Sequence, residues 1–90
     1  MKKEIVITSA ARTAVGSLGK SLKNISGAEL GSAVISECSA RSKIKSDEVS
    51  EVIMGQVLTS NAGQNPARQA AMKSGIPKEK PAYIVNQVCG

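Results

Sequence analysis

Three β-branched runs separated by two stretches that each carry a helix-start signal leave few folds open to this chain. The runs are Glu4–Ile5–Val6–Ile7–Thr8–Ser9, Glu51 to Leu58 (EVIMGQVL) and Ala82 to Val88 (AYIVNQV). The first is nearly continuous in apolar character, as a strand covered on both faces is. Between the first two runs stands Ser26–Gly27–Ala28–Glu29, a capping-box pattern with Ser26 at the N-cap and Glu29 three residues on. The helix it opens is predicted to run to about Arg41, with Leu30, Ala33, Val34 and Cys38 on one face. Ser46–Asp47–Glu48–Val49 reads as a short helical turn capped by Ser46. Between the last two runs, Asn65 caps and Pro66 opens a second helix over Ala67 to Ser74. Gly75 supplies its left-handed end and Pro77 forbids continuation. Gly55, inside the second run, suggests a bulge or a close backbone approach.

Strand, helix, strand, helix, strand implies right-handed crossovers and parallel pairing. The expected class is α/β, a β-α-β-α-β unit with a three-stranded parallel sheet. Ligand sites of such sheets lie beyond the carboxyl ends of the strands. Cys89 falls there, and the loops over residues 10–25 and 59–65 are expected there too.

The composition says what such a unit lacks. Tyr83 is the only aromatic residue among 90, with no Phe or Trp. A small core without large aromatic anchors calls for apolar surface from elsewhere, so the unit is expected to be incomplete as a domain. The net charge is +5, but the basic residues are scattered in short runs, Lys2–Lys3, Lys43–Lys45 and Lys78–Lys80. No aromatic side chains interleave with them to stack on bases, so nucleic acid is not an expected partner. No stretch has the length or apolarity of a membrane span, and no secretory signal opens the chain. Two cysteines without a CxxC pair, and no His, provide neither a disulfide framework nor a metal site. A reducing cytoplasm is the expected compartment, and no cofactor or metal is expected.

Two readings of Cys89 stand side by side on position alone. A free cysteine is most often a small buried hydrophobe. A cysteine at a strand-to-helix turn instead presents its sulfur beyond the sheet, where helix N-terminal amides favour thiolate and can donate to an oxyanion. Cys38, on the apolar face of the first helix, reads as a core residue. In Gly63–Gln64–Asn65–Pro66–Ala67–Arg68–Gln69–Ala70, the side chains of Gln64, Asn65, Arg68 and Gln69 are available to hold a neighbouring loop or subunit. Gly16, Gly19 and Gly27 have the wrong spacing for a phosphate-binding fingerprint.

Four collinear segments resemble the N-terminus of thiolases. They are Ile7 to Gly16 (ITSAARTAVG), Val52 to Leu58 (VIMGQVL), Gly63 to Ala70 (GQNPARQA) and Asn86 to Gly90 (NQVCG). The third is the most specific and is similar to the biosynthetic acetoacetyl-CoA branch. The fourth resembles the Asn-x-x-Cys-Gly motif around the family's nucleophile. The resemblance implies the N-terminal part of the thiolase fold over residues 1–90. It also implies a ping-pong reaction that condenses two acetyl-CoA to acetoacetyl-CoA and CoA, or the reverse thiolysis, through an acyl-cysteine. Cys89 then matches the nucleophile, and its own N–H matches an oxyanion-hole donor. In such enzymes a His activates this cysteine and a second Cys handles the α-proton. Neither maps here, and Cys38 does not sit in the second cysteine's motif.

On that resemblance the chain is expected to be the opening portion of a homo-oligomeric enzyme, a dimer or tetramer. These residues alone are expected to be inactive and prone to self-association through an uncovered strand edge. Other condensing enzymes of the superfamily, of ketoacyl synthase or hydroxymethylglutaryl-CoA synthase type, place a cysteine similarly, but Gly63 to Ala70 argues against them. A thiolase-like binding protein with a degenerate site is disfavoured by the intact motif around Cys89.

Overall fold

The computed structural model describes residues 3–89. Lys2 of the first basic pair, and Gly90 of the motif around Cys89, lie outside the described residues. Five elements follow in order: helix α1 (Gly27–Ser42), a 3₁₀ turn (Ser46–Glu48), strand β1 (Val52–Gly55), helix α2 (Pro66–Lys73) and strand β2 (Ala82–Val85). β1 and β2 pair in parallel, with Val52 opposite Ala82 and Gly55 opposite Val85. The β-α-β order is therefore present as expected from β1 onward.

The helix boundaries follow from local chemistry. Ser26 Oγ accepts from Glu29 N at 3.1 Å and caps α1. Asn65 Oδ1 accepts from Arg68 N at 3.1 Å, and Pro66 occupies the first turn of α2. α2 ends on Gly75 at φ 81°, and Ile76 N reaches back to Ala71 O at 3.0 Å. That is a left-handed C-terminal cap that also buries the following apolar residue, Ile76. In the 3₁₀ turn the capping residue is Lys45 rather than Ser46: Lys45 N donates to the Glu48 carboxylate at 2.9 Å.

The core lies where α2 crosses the two strands. It contains Val52, Ala67, Ala71, Ile76 and Ala82, flanked by the partly buried Ile35, Val49, Met54 and Ile84. Ala67 and Ala70 are fully buried, yet no large side chain is. Small residues let the layers approach closely. A Cβ built on Gly31 would lie 2.6 Å from Met54 Cε and 3.1 Å from Ala70 Cβ. Each buried methyl contributes only about 0.8 kcal/mol, so this core is thin. The lone aromatic, Tyr83, is exposed and anchors nothing.

Three expectations are corrected. The sheet has two strands among the described residues, not three, because Glu4 to Ser9 has no regular structure. Ile5 and Ile7 are 92% and 91% exposed. A β-branched run becomes a strand only where a partner edge and covering faces meet it, and none meets these residues. Polar contacts hold the segment instead. Thr8 Oγ1 and Ser9 Oγ lie 2.8 and 2.7 Å from Ser42 Oγ, Ser9 Oγ donates to Cys38 O, and Arg41 Nη1 donates to Ala10 O. Second, α1 does not bury the large residues that share its apolar face. Its buried positions are Ala28 and Gly31; Leu30, Val34 and Cys38 are half-buried and Ala33 is exposed. Close packing on α2, where Ser74 Oγ donates to Ser32 O, favours the small residues. Third, Gly55 neither bulges nor permits a close approach: it pairs in register with Val85, and a Cβ there would meet nothing within 4 Å.

The exposed first segment carries a simple prediction. Ile7→Ala is expected to change stability by less than about 0.5 kcal/mol in thermal denaturation. The same truncation in a strand covered on both faces would cost about 2–5 kcal/mol.

Candidate active site

β2 delivers Cys89 to the carboxyl end of the sheet. Its last paired residue is Val85, whose carbonyl still accepts from Gln56 N at 3.1 Å. Asn86, Gln87, Val88 and Cys89 then leave the ladder, and all four are exposed. Within this chain Cys89 is a free, exposed thiol. Cys38, by contrast, is half-buried along α1. Among the described residues, no side-chain hydrogen bond engages Cys89.

The chain reverses just before the thiol. Val88 sits at φ 45°, in the left-handed region. A β-branched side chain there is a genuine outlier, costing about 1–3 kcal/mol. Nothing in the residue pattern signals it, since Val prefers extended backbone.

The loops expected at the carboxyl ends divide. Ser26–Ala28 at the start of α1 and Ser60–Gly63 flank one groove with Gln56, the residue after β1. Ala11–Thr13 approach Gln56 from the other side. Asn65 goes elsewhere: its Nδ2 donates to Ala82 O at 3.0 Å, at the amino end of β2. Cys89 follows the opposite end of that strand.

The Gly63–Ala70 segment thus fastens loops. Gln69 Nε2 donates to Ala62 O at 2.8 Å and to Gln64 O at 2.9 Å, closing the turn ahead of α2. Arg68 Nη1 donates to Lys78 O at 3.0 Å and secures the approach to β2. The side chains of Asn65, Arg68 and Gln69 therefore hold neighbouring loops as their polarity suggested, whereas Gln64 contributes its backbone carbonyl rather than its side chain.

Chemically the arrangement offers one exposed soft nucleophile at a sheet's carboxyl end. A thiol attacks as thiolate, and a base must take its proton. The chain has no His, and among the described residues no group of three or more His, Cys, Asp or Glu gathers to hold a metal.

Comparison with known proteins gives this geometry its relatives. Residues 5–90 match the family described as thiolase, N-terminal domain. The acetyl-CoA acetyltransferase of Cupriavidus necator is 58% identical over 87 residues, 97% of this chain and 22% of that protein. That of Rhizobium meliloti is 56% identical over 86 residues, 96% of this chain and 22% of that protein. A Clostridioides difficile sequence of the same name is 51% identical over 88 residues, 98% of this chain and 82% of its own length. Among solved structures, the Acat5 thiolase from Ascaris suum, crystallised with coenzyme A, superposes with a TM-score of 0.90 at 40% identity. The match covers 92% of this chain and 22% of that one. The chain therefore spans about 22% of the length of its first two relatives and has most of its own length matched in all of them. A family match that runs from Ile5 through the Cys89 motif leaves one assignment: the chain belongs to the thiolase family.

Proposed function

We propose that this chain forms the amino-terminal part of an acetyl-CoA C-acetyltransferase, in which Cys89 is the acyl-accepting nucleophile. The observation that supports this most is the exposed Cys89 thiol beyond the carboxyl end of β2, in a chain 58% identical to an acetyl-CoA acetyltransferase over that region. In the first half-reaction the Cys89 thiolate attacks the carbonyl carbon of acetyl-CoA. The new C–S bond forms as the CoA thiolate leaves, and Cys89 carries the acetyl group as a thioester. In the second, the α-carbanion of another acetyl-CoA attacks that thioester, and acetoacetyl-CoA leaves as the cysteine is regenerated. Thiolysis is the same sequence reversed. The backbone N–H of Cys89, part of the reacting residue itself, is the donor this reading assigns to the developing oxyanion.

This chain supplies the nucleophile and the sheet end that presents it. The base for the thiol and the group that moves the α-proton belong to the remainder of the enzyme, so the ninety residues alone turn over no substrate. The thin core and the bare apolar segment Ile5–Ile7 favour a homo-oligomeric whole that covers them. The working compartment is the cytoplasm. No helix among the described residues is long and apolar enough to cross a membrane.

Mixing the full-length protein with acetyl-CoA and digesting it before acetoacetyl-CoA accumulates tests the reading. An acetyl group is expected on the peptide holding Cys89, with one CoA released per chain. Acetyl found on another residue, or turnover by residues 1–90 alone, overturns it.

A further inference from the structure

We infer that the loop over residues 10–25 is a cationic guide that draws the phosphate-bearing end of a coenzyme A thioester to the carboxyl end of the sheet; this rests on the reading of the chain as part of an acetyl-CoA acetyltransferase. The charges of the chain are sorted by end. The loops that lead into β1 and β2 at their amino ends, residues 43–51 and 74–81, carry Lys43, Lys45, Lys78 and Lys80 against Asp47, Glu48, Glu51 and Glu79, and so balance. The loops at the carboxyl ends do not. Residues 10–25 carry Arg12, Lys20 and Lys23 and no acid, while residues 56–65 and 86–89 carry no charge at all. This one loop thus supplies three of the five net positive charges of the chain. Glu29, in the first turn of α1, is the next acid along the sequence and offsets only one of them.

Both ends of the loop are held at the carboxyl end of β1. Ala11–Thr13 lie against Gln56, and Ser26, which follows the loop, borders the groove shared with Ser60–Gly63. Between them the backbone turns on itself: Lys20 N donates to Ser17 O at 3.0 Å and Lys23 N to Lys20 O at 3.1 Å. Leu22 folds inward against Gly16, while Lys20 and Lys23 stay exposed and, among the described residues, outside any ion pair. A coenzyme A thioester is anionic through its pyrophosphate and ribose phosphate, and its reacting acyl carbon, at the far end of a long neutral arm, is uncharged. Attraction therefore acts on the phosphates. Cations of one sign at the entrance raise the local concentration of such a substrate without touching the reacting atoms. Their fields reach far in dilute salt, where the Debye length is about 30 Å at 0.01 M, and fade as it shrinks to about 3 Å at 1 M.

The test measures the second-order rate of acetylation of the full-length enzyme by acetyl-CoA and by S-acetyl-N-acetylcysteamine, an uncharged thioester without phosphates. Two variants are compared with the parent, one combining Lys20→Glu with Lys23→Glu and one combining Lys20→Gln with Lys23→Gln. At about 0.01 M salt the Glu pair is expected to slow acetylation by acetyl-CoA about tenfold. The Gln pair changes half as much charge and is expected to slow it about threefold. At about 0.5 M salt both variants are expected to come within a factor of about two of the parent. The uncharged thioester is expected to react with all three proteins at one rate in either salt. No slowing with acetyl-CoA in dilute salt overturns the guide, and so does equal slowing with both thioesters, which would make the loop part of the shape of the site. A parent enzyme that neither thioester acetylates overturns the acetyltransferase reading itself, a separate failure visible before any variant is compared.

Discussion

Cys89→Ser is expected to lower acetoacetyl-CoA thiolysis by the full-length enzyme by roughly 10³-fold or more, while leaving the melting curve of residues 1–90 in place. The two halves of that expectation have different causes. Serine keeps the shape and the hydrogen-bonding backbone but replaces a soft, strongly nucleophilic sulfur with a hydroxyl oxygen that is a weak nucleophile until it loses its proton. The attacking anion is then nearly absent, and a base fitted to a thiol does not compensate. Stability responds to burial, and Cys89 is exposed without a side-chain hydrogen bond among the described residues. Its substitution is therefore expected to change the stability of residues 1–90 by less than about 0.5 kcal/mol. A structural cysteine predicts the reverse pattern, with activity kept and stability lost. A Cys89→Ser enzyme within a factor of about two of the parent rate removes Cys89 from the chemistry.

That separation between what a residue does and what its surroundings reveal also describes how legible the sequence is. Features decided within a few residues are read correctly. Ser26, Asn65 and Gly75 cap their helices as written, because a cap is a contract between a side chain and amides three residues away. Features decided by distant partners are not. Ile5–Val6–Ile7 has the residues of a buried strand, yet strand identity is conferred by a neighbour, and here polar bonds from Thr8, Ser9 and Arg41 fix the segment instead. β1 and β2 each stop at four residues, short of the eight and seven β-prone residues written for them, because pairing ends where Val85 ends. On α1 the large apolar residues signal a face, but the site of closest approach is Gly31, which carries no hydrophobic signal at all. The same limit holds at the site. Position at a strand's end leaves Cys89 ambiguous, and only the resemblance of four collinear segments points to a nucleophile. The turn at Val88 could not be read, because it contradicts the preference of its own residue.

Asn65 is the point where local and distant terms coincide, and Asn65→Ala is expected to cost this chain about 3 kcal/mol. Three separate losses make up that figure. Its Oδ1 caps Arg68 N, and removing such a cap costs about 1 kcal/mol. Its Nδ2 bonds Ala82 O and ties α2 to the first residue of β2, a part-buried bond also worth about 1 kcal/mol. Its backbone lies at φ 43°, ψ 77°, which asparagine tolerates and alanine resists by about 1–2 kcal/mol. For a domain of this size the loss corresponds to roughly 12–24 °C in melting temperature, readable by circular dichroism. Two further substitutions separate the causes. Asn65→Gly removes both side-chain bonds but suits the left-handed backbone, and glycine is only slightly worse than asparagine as a cap, so it is expected to cost about 1 kcal/mol. Asn65→Asp keeps the cap acceptor but turns a carboxylate toward Ala82 O, and is expected to fall between the two. Equal losses for Ala and Gly would mean that the backbone conformation at Asn65 contributes nothing. In that case the two side-chain bonds, from Arg68 N and to Ala82 O, account for all that this residue secures.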